Sequence, residues 1–240
     1  SSAASRLVKE TKFFYDRQDY EAAVINYQKA IEYDDEEPVF YRNLGLSYDK
    51  AGKKEAALQS YDRAIELDSA YSDAYNSRGN ILYGLERYEE AIEDYQKAIE
   101  LNKTEPIFHR NLGLSFEKAG KKDQALQSYG QAIQLSPAYA DAYNSRGNLF
   151  FNDGAYEKAI SDYQRAIESQ PDNAIFYRNL GTTYEALGKT EAALGSFDKA
   201  IELDPEYLDA YNSRGIFYHN QGQYEPAIKD LEKALSINNQ

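Results

Sequence analysis

The chain has 240 residues, with 27 Lys and Arg against 40 Asp and Glu, a net charge of −13. It has no Cys, and its only histidines are His109 and His219, which excludes a disulfide framework, a thiolate metal site, a cysteine nucleophile and a histidine cluster for acid–base work. The acidic balance suggests a basic partner and speaks against nucleic acid, and no apolar run approaches the ~20 residues of a membrane-inserted helix.

One short pattern recurs along the whole chain. Ala23, Ala57, Ala91, Ala125, Ala159, Ala193 and Ala227 follow one another at a constant step. Ala30, Ala64, Ala98, Ala132, Ala166, Ala200 and Ala234 keep the same step, and so do Tyr27, Tyr61, Tyr95, Tyr129, Tyr163, Phe197 and Leu231. Gly45, Gly79, Gly113, Gly147, Gly181 and Gly215 mark an earlier point of the unit, where the first copy has Thr11. A repeat of this length is the mark of a stacked architecture.

Within a unit the spacing predicts two helices, for instance one over Tyr41–Ala51 and one over Glu55–Leu67. Gly52, Gly120, Gly154, Gly188 and Gly222 mark the turns between them. The eighth-position Gly and the twentieth-position Ala let the helices approach closely, and the aromatic at the twenty-fourth fills the space beside them. Glu21, Glu55, Glu89, Asp123, Glu157, Glu191 and Glu225 open the second helices, where an acid suits the helix dipole. Gly130 and Gly195 lie inside second helices at a cost of about 1 kcal/mol each.

The aromatic-x-x-Leu-Gly start, the turn Gly, the paired Ala and the terminal Pro137, Pro171 and Pro205 resemble the tetratricopeptide repeat family. The match makes 1–240 a single repeat domain of seven units, 4–37, 38–71, 72–105, 106–139, 140–173, 174–207 and 208–240. The resemblance implies an all-α fold, a right-handed α-solenoid superhelix of helix-turn-helix repeats. Its first helices would line a concave groove and its second helices would face outward.

A longer period, twice the first, lies above it. Units beginning at Pro38, Pro106 and Ala174 carry F-[YH]-R-N-L-G, and those beginning at Ser72, Ala140 and Leu208 carry D-A-Y-N-S-R-G. The Pro38 and Pro106 units agree at two thirds of their positions, whereas the adjacent Pro38 and Ser72 units agree at only a quarter.

Family geometry places Arg42, Asn43, Arg110, Asn111, Arg178 and Asn179 in the groove from the first type of unit. From the second type it places Asn76, Asn80, Tyr83, Asn144, Asn148, Phe151, Asn212 and His219 there. Asn offers donors and acceptors, so such a ladder could pair with an extended peptide backbone. It is similar to the asparagine ladder in the repeat domain of O-linked N-acetylglucosamine transferase, except that Ser77, Ser145 and Ser213 hold the sixth position in alternate units.

Two plainer expectations stand beside this one. Arg42 and Asp73, Arg110 and Asp141, and Arg178 and Asp209 are separated by one and the same interval and could form an internal salt-bridge ladder. Arg78, Arg146 and Arg214 replace Leu44, Leu112 and Leu180 and are expected to pack with a snorkelled head. The basic clamp with which some family members grip the acidic tail of chaperones is absent, since Asp73 and Ser77 occupy positions where it needs Lys and Arg. The concave positions balance in charge. Asp16, Asp49, Asp73, Glu117, Asp141, Glu185 and Asp209 are equal in number to Lys9, Lys12, Arg42, Lys50, Arg110, Lys118 and Arg178.

The expected function is therefore a non-catalytic protein–protein interaction scaffold that holds a peptide or a partner helix, without cofactor or metal. A structural self-assembly module is the alternative. Ile228, Leu231 and Leu235 on the last helix have no following unit to cover them, which suits a homo-oligomer joined through repeat ends or a piece of a longer protein. A substrate-recognition region of a larger enzyme is a third expectation. The absence of Cys suits the cytoplasm.

Overall fold

The computed structural model describes residues 2–238, and all regular structure among them is α-helical. The helices are α1 (Ser2–Asp16), α2 (Tyr20–Tyr33), α3 (Pro38–Lys50), α4 (Lys54–Leu67), α5 (Ser72–Gly84), α6 (Tyr88–Leu101) and α7 (Pro106–Lys118). They continue with α8 (Lys122–Leu135), α9 (Ala140–Asn152), α10 (Tyr156–Ser169), α11 (Ala174–Ala186), α12 (Thr190–Leu203), α13 (Leu208–Asn220) and α14 (Tyr224–Asn238). Each repeat is thus a helix-turn-helix. The first helix of the second repeat starts ahead of Tyr41, because Pro38 occupies its first turn, where its fixed φ suits the helix and its missing N–H is not needed.

The turns close by backbone geometry. Gly52 N donates to Asp49 O at 2.9 Å and Lys53 N to Tyr48 O at 2.8 Å, the paired bonds of a Schellman cap. That cap needs a left-handed residue, and Gly52 has φ +77°. Gln18 and Glu86 hold the same place in the first and third repeats, with φ of 58° and 60°.

Packing between the two helices of a repeat follows the small residues. A methyl added to Gly45 would lie 2.7 Å from the Tyr61 ring, and one added to Gly79 would lie 2.8 Å from the Tyr95 ring. Ala57, Ala64, Ala91 and Ala98 are fully buried. The ring lies directly against the glycine, and the paired alanines let the second helix approach.

The chain divides into two compact units, 1–128 and 129–240. In the first unit α3 touches α5 and α5 touches α7, whereas α2, α4 and α6 do not touch one another. In the second unit α9 touches α11 and α11 touches α13, whereas α10, α12 and α14 stay apart. In each unit the first helices therefore form the inner, concave side. Lys12, one of the expected groove bases, has a side chain outside the described residues.

The Arg of the Asn-Ser-Arg-Gly segments does more than snorkel. Arg78 grips the buried Asp94 with two bonds, from Nε at 2.8 Å and Nη2 at 2.7 Å. Its Nη1 reaches Asp62 on the preceding repeat at 2.7 Å. Arg214 does the same with Asp230 and Asp198. Arg146 grips Asp162 alike. The expectation of a head in water fails because each acid lies on the facing second helix, 16 residues on, within reach of a planar fork. These acids hold the guanidinium pKa of Arg78, Arg146 and Arg214 above its ordinary value against the opposing effect of burial.

Candidate functional site

The concave side of the first unit carries a connected set of amides. Asn76 and Asn80 are one turn apart on α5, and Asn111 lies on the neighbouring α7. Asn111 Nδ2 donates to Asn76 Oδ1 at 3.0 Å and to Asn80 Oδ1 at 3.2 Å. The hydroxyl of Tyr95, which projects from α6 past Gly79, donates to the same Asn80 Oδ1 at 2.7 Å. A tyrosine hydroxyl is protonated at neutral pH and can donate, and burial raises the Tyr95 pKa further.

The second unit repeats the set. Asn179 Nδ2 on α11 donates to Asn144 Oδ1 at 2.9 Å and to Asn148 Oδ1 at 3.3 Å, both on α9. The Tyr163 hydroxyl donates to Asn148 Oδ1 at 2.7 Å. The structure thus brings together Asn76, Asn80 and Asn111, and separately Asn144, Asn148 and Asn179. Asn212 lies on α13 outside these sets, where Ile216 stands in place of Asn80 and Asn148.

The arginines turn toward their neighbours. Arg42 Nη1 donates to Asn43 Oδ1 at 3.2 Å and Arg178 Nη1 to Asn179 Oδ1 at 3.1 Å. Arg178 Nε also donates to Ser213 Oγ at 3.0 Å. The Arg42–Asp73 and Arg178–Asp209 rungs of the expected salt-bridge ladder do not form. Asp73 and Asp209 stay exposed in the first turns of α5 and α13, where an ion pair would gain little over water and the helix dipole already favours the acid.

Tyr83, Phe151 and His219 each meet an aromatic across the helix turn. Their ring centroids lie 5.5 Å from Tyr88, 5.5 Å from Tyr156 and 5.7 Å from Tyr224. They clasp the turns at one edge of the concave side. Desolvation and the neighbouring Tyr88 raise the Tyr83 pKa.

Three exposed aliphatic residues join the face beside the arginines. Val39, Ile107 and Ile175 hold the second position of α3, α7 and α11. Their recurrence in every second unit is a signal in the sequence, at the second position, which family geometry already places on the concave side. The contribution of Tyr95 and Tyr163 is hidden, since their position reads only as packing.

Models of the TPR repeat match residues 12–52, 79–120, 118–154, 147–188 and 184–222. The tetratricopeptide repeat model matches 38–71 and 208–240. The chain belongs to the tetratricopeptide repeat family. Among solved structures, this repeat chain is similar to YrrB, described as a TPR protein with an unusual peptide-binding site. The two are 30% identical over 78% of this chain and 97% of the other, with a TM-score of 0.59. MamA is 27% identical over 67% of this chain and 94% of its own, with a TM-score of 0.58. A tetratricopeptide repeat protein from Parabacteroides merdae ATCC 43184 shares the fold at 21% identity. It covers 99% of this chain and 94% of its own, with a TM-score of 0.79. Proteins of curated function include no match to the chain. Membership of the family supports a role as a protein-interaction scaffold. Among the described residues no helix is long and apolar enough to cross a membrane.

Proposed function

We propose that the tetratricopeptide repeats act as a non-catalytic scaffold that holds an extended peptide along the concave side of each unit. The observation that carries the reading is the doubled amide set, Asn76–Asn80–Asn111 and Asn144–Asn148–Asn179, on adjacent first helices. Four amide nitrogens, on Asn76, Asn80, Asn144 and Asn148, have no partner among the described residues and can bond a peptide backbone without reading its sequence. Val39 and Ile175, exposed beside Arg42 and Arg178, add an apolar contact next to a cation. The peptide-binding site of YrrB is a parallel in a relative matched over nearly its whole length. The balanced charge of the concave positions speaks for a ligand of no strong net charge, and the cytoplasm is its proposed setting.

Peptides selected on the intact chain from a random dodecapeptide library supply the test. Calorimetry should give at least tenfold weaker binding when Asn76, Asn144 and Asn212 are all replaced by Ala, with helical content unchanged. Equal affinity removes the groove as the binding site.

A second reading, association of copies through α14, has its own observation. Ile228 is 57% exposed, whereas Ile92, at the same place in α6 with α7 against it, is 5% exposed. Leu235 is 62% exposed. Leu231 does have a neighbour, because a methyl on Gly215 would lie 3.0 Å from its Cγ.

A further inference from the structure

We propose that Tyr95 and Tyr163 are positioning residues that hold the Asn80 and Asn148 carboxamides as donors only. The groove would then recognise an extended segment by its backbone carbonyl oxygens and need no N–H from it. This rests on the groove function proposed above and adds its chemistry.

An amide oxygen has two lone pairs. On Asn80 both are taken, by the Tyr95 hydroxyl at 2.7 Å and by Asn111 Nδ2 at 3.2 Å. On Asn148 both are taken, by the Tyr163 hydroxyl at 2.7 Å and by Asn179 Nδ2 at 3.3 Å. Rotating either amide by half a turn would set its nitrogen against the Nδ2 of Asn111 or Asn179. Each of those nitrogens is already committed as a donor to Asn76 or Asn144. What remains for a ligand is one Nδ2 on each residue, and Asn80 is exposed.

Packing alone does not require the hydroxyls. Phe197 holds the same position in the sixth repeat, where a methyl on Gly181 would lie 2.7 Å from its ring, as against 2.8 Å for Gly79 and Tyr95. Both rings are almost wholly buried. At Tyr95 and Tyr163 the hydroxyl therefore adds, beyond packing, the bond to Asn80 and Asn148. A segment bound through its carbonyls alone tolerates proline at the contacted residues, since proline lacks only the N–H and keeps the C=O.

The probe is acetylated decaproline N,N-dimethylamide, which has carbonyls and no N–H. Added to the 15N-labelled chain, it should shift the side-chain Nδ2 resonances of Asn80 and Asn148. The Asn80→Asp/Asn148→Asp variant keeps the shape and offers only acceptors, and should bind the probe at least tenfold more weakly. Tyr95→Phe/Tyr163→Phe should keep its circular dichroism and bind at least threefold more weakly. The paired Nδ2 protons of Asn80 and Asn148 should then exchange faster, a signature that lost packing would not give. Unmoved resonances, or full affinity in the Asp variant, overturn the proposal. If the selected dodecapeptide binds and decaproline does not, this inference falls alone. If neither binds, the groove function falls with it.

Discussion

Arg146 differs from Arg78 and Arg214 at one point. Gly130 stands in the preceding repeat where the others have Asp62 and Asp198. Arg78 and Arg214 each sit between two carboxylates, and Arg146 is gripped by the single carboxylate of Asp162. Removing that acid strands a largely buried cation. Asp162→Ala is expected to cost about 2–3 kcal/mol in urea unfolding. Asp94→Ala should cost about 1 kcal/mol less, because Arg78 keeps Asp62. A methyl on Gly130 would have open space around it, so Gly130→Asp should raise stability by about 0.5–1 kcal/mol through helix propensity and a second partner for Arg146. Equal losses for the two Asp variants would contradict the assignment. His109 gives a pH test. Burial lowers its pKa, partly offset by a hydrogen bond to the Lys103 backbone. Below the unfolded value of about 6.5 the unfolded chain takes up a proton that the folded chain resists, so stability falls as pH falls through that point. His109→Tyr, which copies Tyr41 and Tyr177, should flatten the decline of melting temperature between about pH 7 and 5.5.

Helices and turns show what the sequence makes readable. The short period alone is enough to place two helices per unit and to pair each eighth-position glycine with the twenty-fourth-position side chain, because both partners belong to one repeat and recur together. The turns of the first and third repeats are harder, since Gln18 and Glu86 carry no glycine signal yet adopt the left-handed conformation. A side chain there is strained, so Glu86→Gly should stabilise by about 0.5–1 kcal/mol, after the greater entropy of an unfolded glycine is subtracted. A lower midpoint in denaturant would show that Glu86 has a compensating contact. The Arg–Asp grip is also present in the sequence. Arg at the seventh position accompanies Asp at the twenty-third, and Leu44, Leu112 and Leu180 accompany Ser60, Ser128 and Ser196. The amide sets are not readable in this way. They join three helices from two repeats, and which atom of each carboxamide points where depends on a tyrosine that the pattern marks as core. The absence of the Arg42–Asp73 and Arg178–Asp209 rungs has the same origin, for spacing places two residues near each other but does not say which neighbour wins the guanidinium.

For the whole molecule, the acidic excess lies away from the concave positions, which balance in charge. It falls on the acids that open the second helices and on the run Asp34-Asp35-Glu36-Glu37. The suggestion of a basic ligand therefore weakens for the groove, and a surplus of one sign on the outer side suits solubility. Two proposed contacts can be told apart, the amide sets and the exposed Ile228 and Leu235 of α14. They separate cleanly. Ile228→Lys/Leu235→Lys should convert any dimer seen by light scattering to monomer while leaving the affinity for a selected dodecapeptide unchanged. Loss of peptide binding in that variant would place the peptide on α14. The most direct test is a map of where such a dodecapeptide touches the protein. In 15N-labelled chain the shifts should be confined to the first helices, either α3, α5 and α7 with the side-chain amides of Asn76 and Asn80, or α9, α11 and α13 with those of Asn144 and Asn148, or both sets. Shifts centred on second helices, with those four amides unmoved, would contradict it.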